Sequence, residues 1–164
     1  MAKTKLKGSP VTLSGRCLEV GQRAPDFQLV KQDLSELELT AIKEPYKVLS
    51  IFPSLDTDVC AKAIHTFYEK AKQHTNAVIL NISMDLPFAA KRFCGAEHLN
   101  VITLSAFRSP FGMDYGLHIA DGPLKGLLAR AVIVLDPSNQ VIYLELVPEI
   151  TQEPNYDAAL DAIR

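Results

Sequence analysis

Apolar positions fall first into short runs with strand character and only later take up a helical period. Residues 3 to 7 and 10 to 14 read as two short strands joined at Gly8-Ser9, a hairpin with a glycine turn signal. After the loop Gly21-Gln22-Arg23-Ala24-Pro25-Asp26 come a short strand, Phe27 to Val30, and a weaker one, Leu37 to Leu39. Tyr46 to Phe52 is apolar at most positions, as expected of a central strand covered on both faces.

From Thr57 or Asp58 to about His74 the period changes. Val59, Ala63, Ile64, Phe67, Tyr68 and Ala71 recur at helical spacing, and most lysines fall elsewhere on the wheel. Ala77 to Ile82 is a second buried strand, so strand, helix and strand form a βαβ unit with parallel strands. A shorter helix is expected over Pro87 to Phe93 and a strand near Val101 to Leu104. Residues 131 to 136 and 140 to 147, joined by Pro137-Ser138-Asn139, predict an antiparallel hairpin. Residues 155 to 164 close the chain as an amphipathic helix with Asn155 as cap. The expected fold is α/β, a mixed β-sheet flanked by helices on both faces with an N-terminal β-hairpin, in the thioredoxin-like order.

The 164 residues carry no internal repeat, low-complexity stretch or linker, so one domain over 1–164 is expected. A formal net charge of −2 gives no electrostatic case for nucleic acid or an anionic membrane surface. The basic start lacks the apolar core of a secretory leader, and there is no apolar span of about 18 residues, so the expected setting is the cytoplasm. Thiols stay reduced there. Cys17, Cys60 and Cys94 are odd in number and form no C-x-x-C pair, which weakens a zinc ribbon or disulfide scaffold. His65, His74, His98 and His118 fall in no metal-ligand spacing, so neither metal nor cofactor is assigned.

The chemistry concentrates in PSLDTDVC, residues 53 to 60. Pro53 ends the strand because it has no N–H for a ladder, and the turn after it delivers Cys60 to the first turn of the long helix. Unpaired N–H groups and the helix dipole favour an anion there, and the thiolate is the nucleophilic form of cysteine. Asp56 and Asp58 oppose that charge, so a nearby cation is required. Ionisation alone gains about 30-fold, or about 2 kcal/mol, so donors to the substrate must supply the remainder. Thr57 either donates to a substrate oxygen or caps the helix. Three readings stay open on these residues: a thiol redox enzyme, a cysteine hydrolase with a histidine base, and a non-catalytic thioredoxin-like binding module.

Pro53-Ser54-Leu55-Asp56-Thr57-Asp58-Val59-Cys60 resembles the P-x-x-x-T-x-x-C signature of the peroxiredoxins, in the form typical of the bacterial thiol peroxidase subfamily. Further blocks are similar in the same order: Gly21 with Ala24 to Phe27, Arg92-Phe93-Cys94, Asn100 to Ser105, Phe107-Arg108, Phe111-Gly112, Tyr115-Gly116, and Gly126 to Ala131. His65 departs from the pattern, standing where the subfamily often has arginine.

The resemblance implies that Cys60 is the peroxidatic cysteine, oxidised by hydrogen peroxide or an organic hydroperoxide to a sulfenic acid. It implies that Thr57 and Arg130 hydrogen-bond the peroxide oxygens, that Arg130 is the required cation and that Pro53 shields the thiolate. Cys94 becomes the resolving cysteine, forming an intramolecular disulfide that thioredoxin reduces. A permanent Cys60–Cys94 bridge closing about 35 residues would stabilise the fold by roughly 3 to 4 kcal/mol, but a reducing compartment argues against it. With the two cysteines in separate helices, local unwinding is expected before they meet. Cys17 is read as a spectator. Phe93, Phe107, Phe111, Tyr115 and Leu117 are read as core, as an apolar collar for organic hydroperoxides, or as a homodimer contact.

Overall fold

In the computed structural model, which describes residues 3–163, ten strands and four α-helices build one large sheet, one small sheet and their cover. The N-terminal hairpin is β1 (Lys3–Leu6) and β2 (Ser9–Ser14), paired antiparallel with Leu6 opposite Ser9. Its turn is Lys7-Gly8 rather than Gly8-Ser9: both have positive φ, 49° and 84°, which suits a two-residue hairpin loop following the strand twist. β3 (Gln28–Val30) and β4 (Glu36–Glu38) follow, then the central strand β5 (Tyr46–Ile51).

Helix α1 (Asp58–Lys70) starts at the Thr57 cap and buries Cys60, Ala63, Ile64 and Phe67. Asp58 in its first turn and Lys70 in its last complement the helix dipole. A 3-10 turn, Ala71–Gln73, tightens its end, so the expected helix to His74 is α-helical only as far as Lys70. Strand β6 (Ala77–Ser83) pairs parallel with β5, as the βαβ reading requires. Helix α2 runs from Pro87 to Glu97, a turn beyond the expected end at Phe93, and stops at His98 in the left-handed conformation. The apolar pattern thins after Cys94, yet nothing there breaks a helix.

Strand β7 (Ile102–Ser105) adds parallel to β6. The short helix α3 (Phe111–Asp114) and two-residue strand β8 (His118–Ile119) were not anticipated; neither is long enough to show a period. β9 (Ala131–Leu135) and β10 (Val141–Leu146) form the expected antiparallel hairpin. Helix α4 spans Tyr156–Asp161, with Asn155 Oδ1 accepting from the Ala158 amide; Arg164, the end of the expected helix, lies outside the described residues.

The large sheet has the order β10-β9-β5-β6-β7-β3-β4 and is mixed: β5, β6 and β7 run parallel, and the flanking pairs are antiparallel. On one face Val48, Val132 and Val134 meet Ala63 and Phe67 of α1 and Tyr156, Ala159 and Leu160 of α4. α2 shares the neighbouring cluster of Phe52, Ile64, Ala90 and Phe93. On the other face Leu49, Ile51, Leu80, Ile82 and Ile133 pack under Val11 and Leu13 of the hairpin, Ile119, and the aromatic group Phe27, Phe111 and Tyr115. The cover there is a small sheet, β1-β2-β8, and a one-turn helix, so the two faces are less alike than expected. Among the described residues no helix is long and apolar enough to cross a membrane.

Candidate active site

Pro53, just past β5, stops the ladder, and Ser54 Oγ and the Leu55 amide turn onto the Asp85 carboxylate at 2.8 and 2.7 Å. Ser83 Oγ donates to the same carboxylate at 2.8 Å. Asp85 therefore anchors the loop ahead of Cys60 from the far side of β6, and no sequence spacing links it to Ser54. Thr57 Oγ1 accepts from the Cys60 amide at 3.4 Å and donates to the Ser54 carbonyl at 3.1 Å. Both hydroxyl functions are occupied by helix capping, so donation to a substrate would require the O–H to leave Ser54.

Cys60 is fully buried at the helix start. Arg130 is only 3% exposed; its Nη2 donates to Cys60 Sγ at 3.1 Å, and its Nε donates to the Ile150 carbonyl at 2.7 Å. Sheet register explains the meeting of residues 70 apart: β5 and β9 are antiparallel with Ile51 opposite Ala131, so the residue before β9 lands beside the exit of β5. The planar guanidinium satisfies two acceptors at fixed angles, which a lysine ammonium would not reproduce.

A cavity of about 370 Å³ reaches this pair through Arg130, and Cys60 lies behind its wall. Pro53, Thr57 and Val59 line it from the cysteine loop, Leu124, Arg130 and Ile150 from the later chain, and Leu6 and Lys7 from the hairpin. Phe93, Phe107, Phe111, Tyr115 and Leu117 do not line it, so of their open readings a collar at this cavity is excluded. Phe93, Phe111, Tyr115 and Leu117 are core, and Phe107 is exposed with Arg108 over its ring. A larger cavity of about 440 Å³, lined by Asp26, Glu36, Glu38, Arg108 and Asp114 among others, shares no lining residue with this one and does not reach Arg130.

The hairpin wall is held by Glu149. Its carboxylate accepts from the amides of Gly8 at 2.8 Å and Lys7 at 3.1 Å, and from the Thr151 amide and hydroxyl at 3.1 and 2.9 Å. These bonds, led by those from the Thr151 and Gly8 amides, hold its carboxyl down to about 2. Sequence reasoning missed Glu149, Asp85 and the hairpin's part in the cavity because each acts through a contact distant in sequence.

Of the acids near Cys60, Asp56 meets Arg92 of α2 at 3.3 Å rather than Arg130. His65, in place of the subfamily's arginine, faces Glu97 at 3.1 Å. Cys94 is buried in α2, where burial pushes its thiol up and a hydrogen bond from Gln32 opposes the shift. All three cysteines are free, and Cys17 is exposed. Cys60, Thr57, Arg130 and Pro53 therefore meet at one site; Cys94 belongs to the same buried cluster as Cys60, with its sulfur accepting from Gln32 rather than from Arg130.

The Redoxin family profile matches residues 19–160. A thiol peroxidase of Leptospira interrogans (strain Fiocruz L1-130) is 52% identical over 166 residues, 99% of this chain and 97% of that protein. A thiol peroxidase of Mycobacterium bovis is 50% identical over 164 residues, 99% of each chain. Among solved structures, a peroxiredoxin-like protein from Aquifex aeolicus superposes with a TM-score of 0.94 at 43% identity, covering 99% of this chain and 96% of that one. With the thioredoxin-like sheet and the buried Cys60–Arg130 pair already in view, these matches show that the chain belongs to the Redoxin family and, within it, to the thiol peroxidases.

Proposed function

We propose that the protein is a thiol-dependent peroxidase for hydrogen peroxide and organic hydroperoxides, with Cys60 as its peroxidatic residue. The observation that carries this reading is the Arg130 guanidinium at 3.1 Å from the buried Cys60 Sγ, with Arg130 itself, Pro53 and Thr57 lining a cavity. The Cys60 sulfur attacks the distal peroxide oxygen, the O–O bond breaks, and water or an alcohol leaves with a proton. Cys60 is then a sulfenic acid. Arg130 stabilises charge on the sulfur and on the departing oxygen, Thr57 offers its hydroxyl, and Pro53 keeps water from the sulfur.

Cys94 then acts as the resolving cysteine. Its sulfur bonds to Cys60 Sγ, the S–O bond breaks, and hydroxide leaves to become water. Thioredoxin reduces the disulfide and restores both thiols. One domain, a homodimer and a cytoplasmic setting belong to the same proposal; exposed Leu86, Phe88 and Phe107 supply apolar surface for a second copy. No histidine lines the cavity, which weakens the cysteine-hydrolase alternative.

The test is peroxide consumption with thioredoxin as reductant in wild type, Cys60→Ser, Cys94→Ser and Cys17→Ser. Turnover should vanish in Cys60→Ser, lose thioredoxin recycling in Cys94→Ser and persist in Cys17→Ser. Unchanged turnover in Cys60→Ser would sink the whole reading. Mass spectrometry after one equivalent of peroxide should show a Cys60–Cys94 bridge, and a bridge to Cys17 would reassign the resolving thiol.

A further inference from the structure

Cys94 Sγ does more than pack against apolar neighbours. Gln32 Nε2 donates to it at 3.4 Å, and the same nitrogen donates to Thr103 Oγ1 at 2.8 Å. An amide NH₂ has two hydrogens, so the bond to Thr103 orients the group and leaves the other hydrogen for the sulfur. Gln32 lies in the turn between β3 and β4, and Thr103 lies on β7, the strand that pairs with β3. The donor is therefore mounted on the sheet, while its acceptor is carried by α2.

Two other contacts reach α2 from the Cys60 side, Arg92 to Asp56 and His65 to Glu97. All four of those side chains are more than 40% exposed, and polar contacts so placed hold little. The half-buried Gln32 bond to Cys94 is screened less. Cys60 and Cys94 belong to one buried cluster with Phe52, Ile64 and Phe93, yet both are free thiols, and each sulfur has its own donor, Arg130 for Cys60 and Gln32 for Cys94. A disulfide brings the two sulfurs to about 2 Å, so the free Cys94 thiol must move toward Cys60 and give up the Gln32 amide to form one.

We propose that Gln32 is a positioning residue of the resolving step, retaining the Cys94 thiol against β7 and thereby setting how long the Cys60 sulfenic acid persists. This inference rests on the resolving role proposed for Cys94. A bond present in the seated state and absent in the reacting one slows departure, and loss of a neutral hydrogen bond of ordinary strength speeds it about three- to tenfold. The persistence matters because a second hydroperoxide molecule can transfer its oxygen to the sulfenic sulfur, leave as alcohol, and yield a sulfinic acid that thioredoxin does not restore.

The experiment compares wild type with Gln32→Met, which keeps the length but has no N–H, with Gln32→Leu, and with Gln32→Lys, which restores an N–H. One equivalent of hydrogen peroxide is added, and rapid quenching with mass spectrometry follows conversion of sulfenic acid to the Cys60–Cys94 disulfide. Conversion should be about three- to tenfold faster in Gln32→Met and Gln32→Leu and return toward wild type in Gln32→Lys. At excess peroxide the sulfinic fraction should fall in the two fast variants. Unchanged or slower conversion in Gln32→Met overturns the proposal, and that variant carries the test should Gln32→Leu fail to fold. Thioredoxin-dependent recycling that survives in Cys94→Ser is a separate result: it removes the resolving role itself, whatever the Gln32 variants show.

Discussion

Arg130 and Cys60 are 70 residues apart in the chain, yet the guanidinium Nη2 stands 3.1 Å from the sulfur, with its Nε fixed on the Ile150 carbonyl at 2.7 Å. The second bond turns a flexible side chain into a fixed donor, because the planar group cannot swing without losing Ile150. Arg130→Met should slow Cys60 oxidation by hydrogen peroxide about 100-fold or more, the usual effect of removing one preorganised donor. Arg130→Lys should recover only part of that loss, since one ammonium cannot match the fork. Pre-steady-state oxidation rates at several peroxide concentrations measure both. An Arg130→Lys rate equal to wild type would show that charge, and not geometry, is what matters.

Thr57 caps α1 and is also the proposed peroxide donor, and the two roles separate by substitution. Thr57→Val should cost about 1 kcal/mol in urea unfolding through loss of the cap. Thr57→Asn keeps a capping oxygen but moves the donor, so it should retain stability while slowing peroxide reduction. Equal rates in Thr57→Asn and wild type would confine Thr57 to capping.

Asp85 receives Ser54 Oγ, the Leu55 amide and Ser83 Oγ, and so ties the loop before Cys60 to the strand before α2. Asp85→Ala leaves these donors without their charged acceptor and should destabilise the fold by about 2 to 4 kcal/mol. The expected kinetic signature is a slower peroxide step with the Arg130→Met deficit no longer additive, since Asp85 places the Cys60 sulfur that Arg130 contacts. Double-variant kinetics read that coupling directly.

Glu149 has its carboxyl held down to about 2 in the folded protein, below the 4.5 of an unperturbed glutamate. Its folded pKa is depressed, so its contribution is full above about 4.5 and is lost as pH falls toward about 2. The stability difference between wild type and Glu149→Gln should therefore shrink across that window and stay constant at neutral pH. Because Glu149 also holds Lys7 and Gly8 at the cavity wall, Glu149→Gln should raise KM for organic hydroperoxides. Thermal midpoints from pH 2 to 7 and steady-state kinetics test the two parts.

Phe67 is fully buried in α1 and meets Tyr156 of α4 edge-on, with ring centroids 4.8 Å apart. Phe67→Ala should destabilise the protein by about 3 to 5 kcal/mol, and Phe67→Leu by clearly less. Equilibrium unfolding of the two variants measures the cavity that each leaves.

Period and punctuation determined most of the elements. YKVLSI has no polar face, so it reads as a covered strand; Pro53 ends it; and the 3.6-residue recurrence of Ala63, Ile64 and Phe67 makes α1 the next element. Local spacing likewise placed Thr57 and Cys60 at one helix start. What lay beyond local spacing was every contact that depends on pairing: the Ile51–Ala131 register that delivers Arg130, the Asp85 anchor, and the hairpin turn that Glu149 draws over the cavity. The need for a cation near two acids was legible in PSLDTDVC, but its division was not, since Arg92 answers Asp56 while Arg130 answers the sulfur. Local chemistry is written residue by residue because dihedral preference and periodicity act over a few positions. Which charge meets which partner is decided only when strands take their register and bring distant side chains to the same end of the sheet.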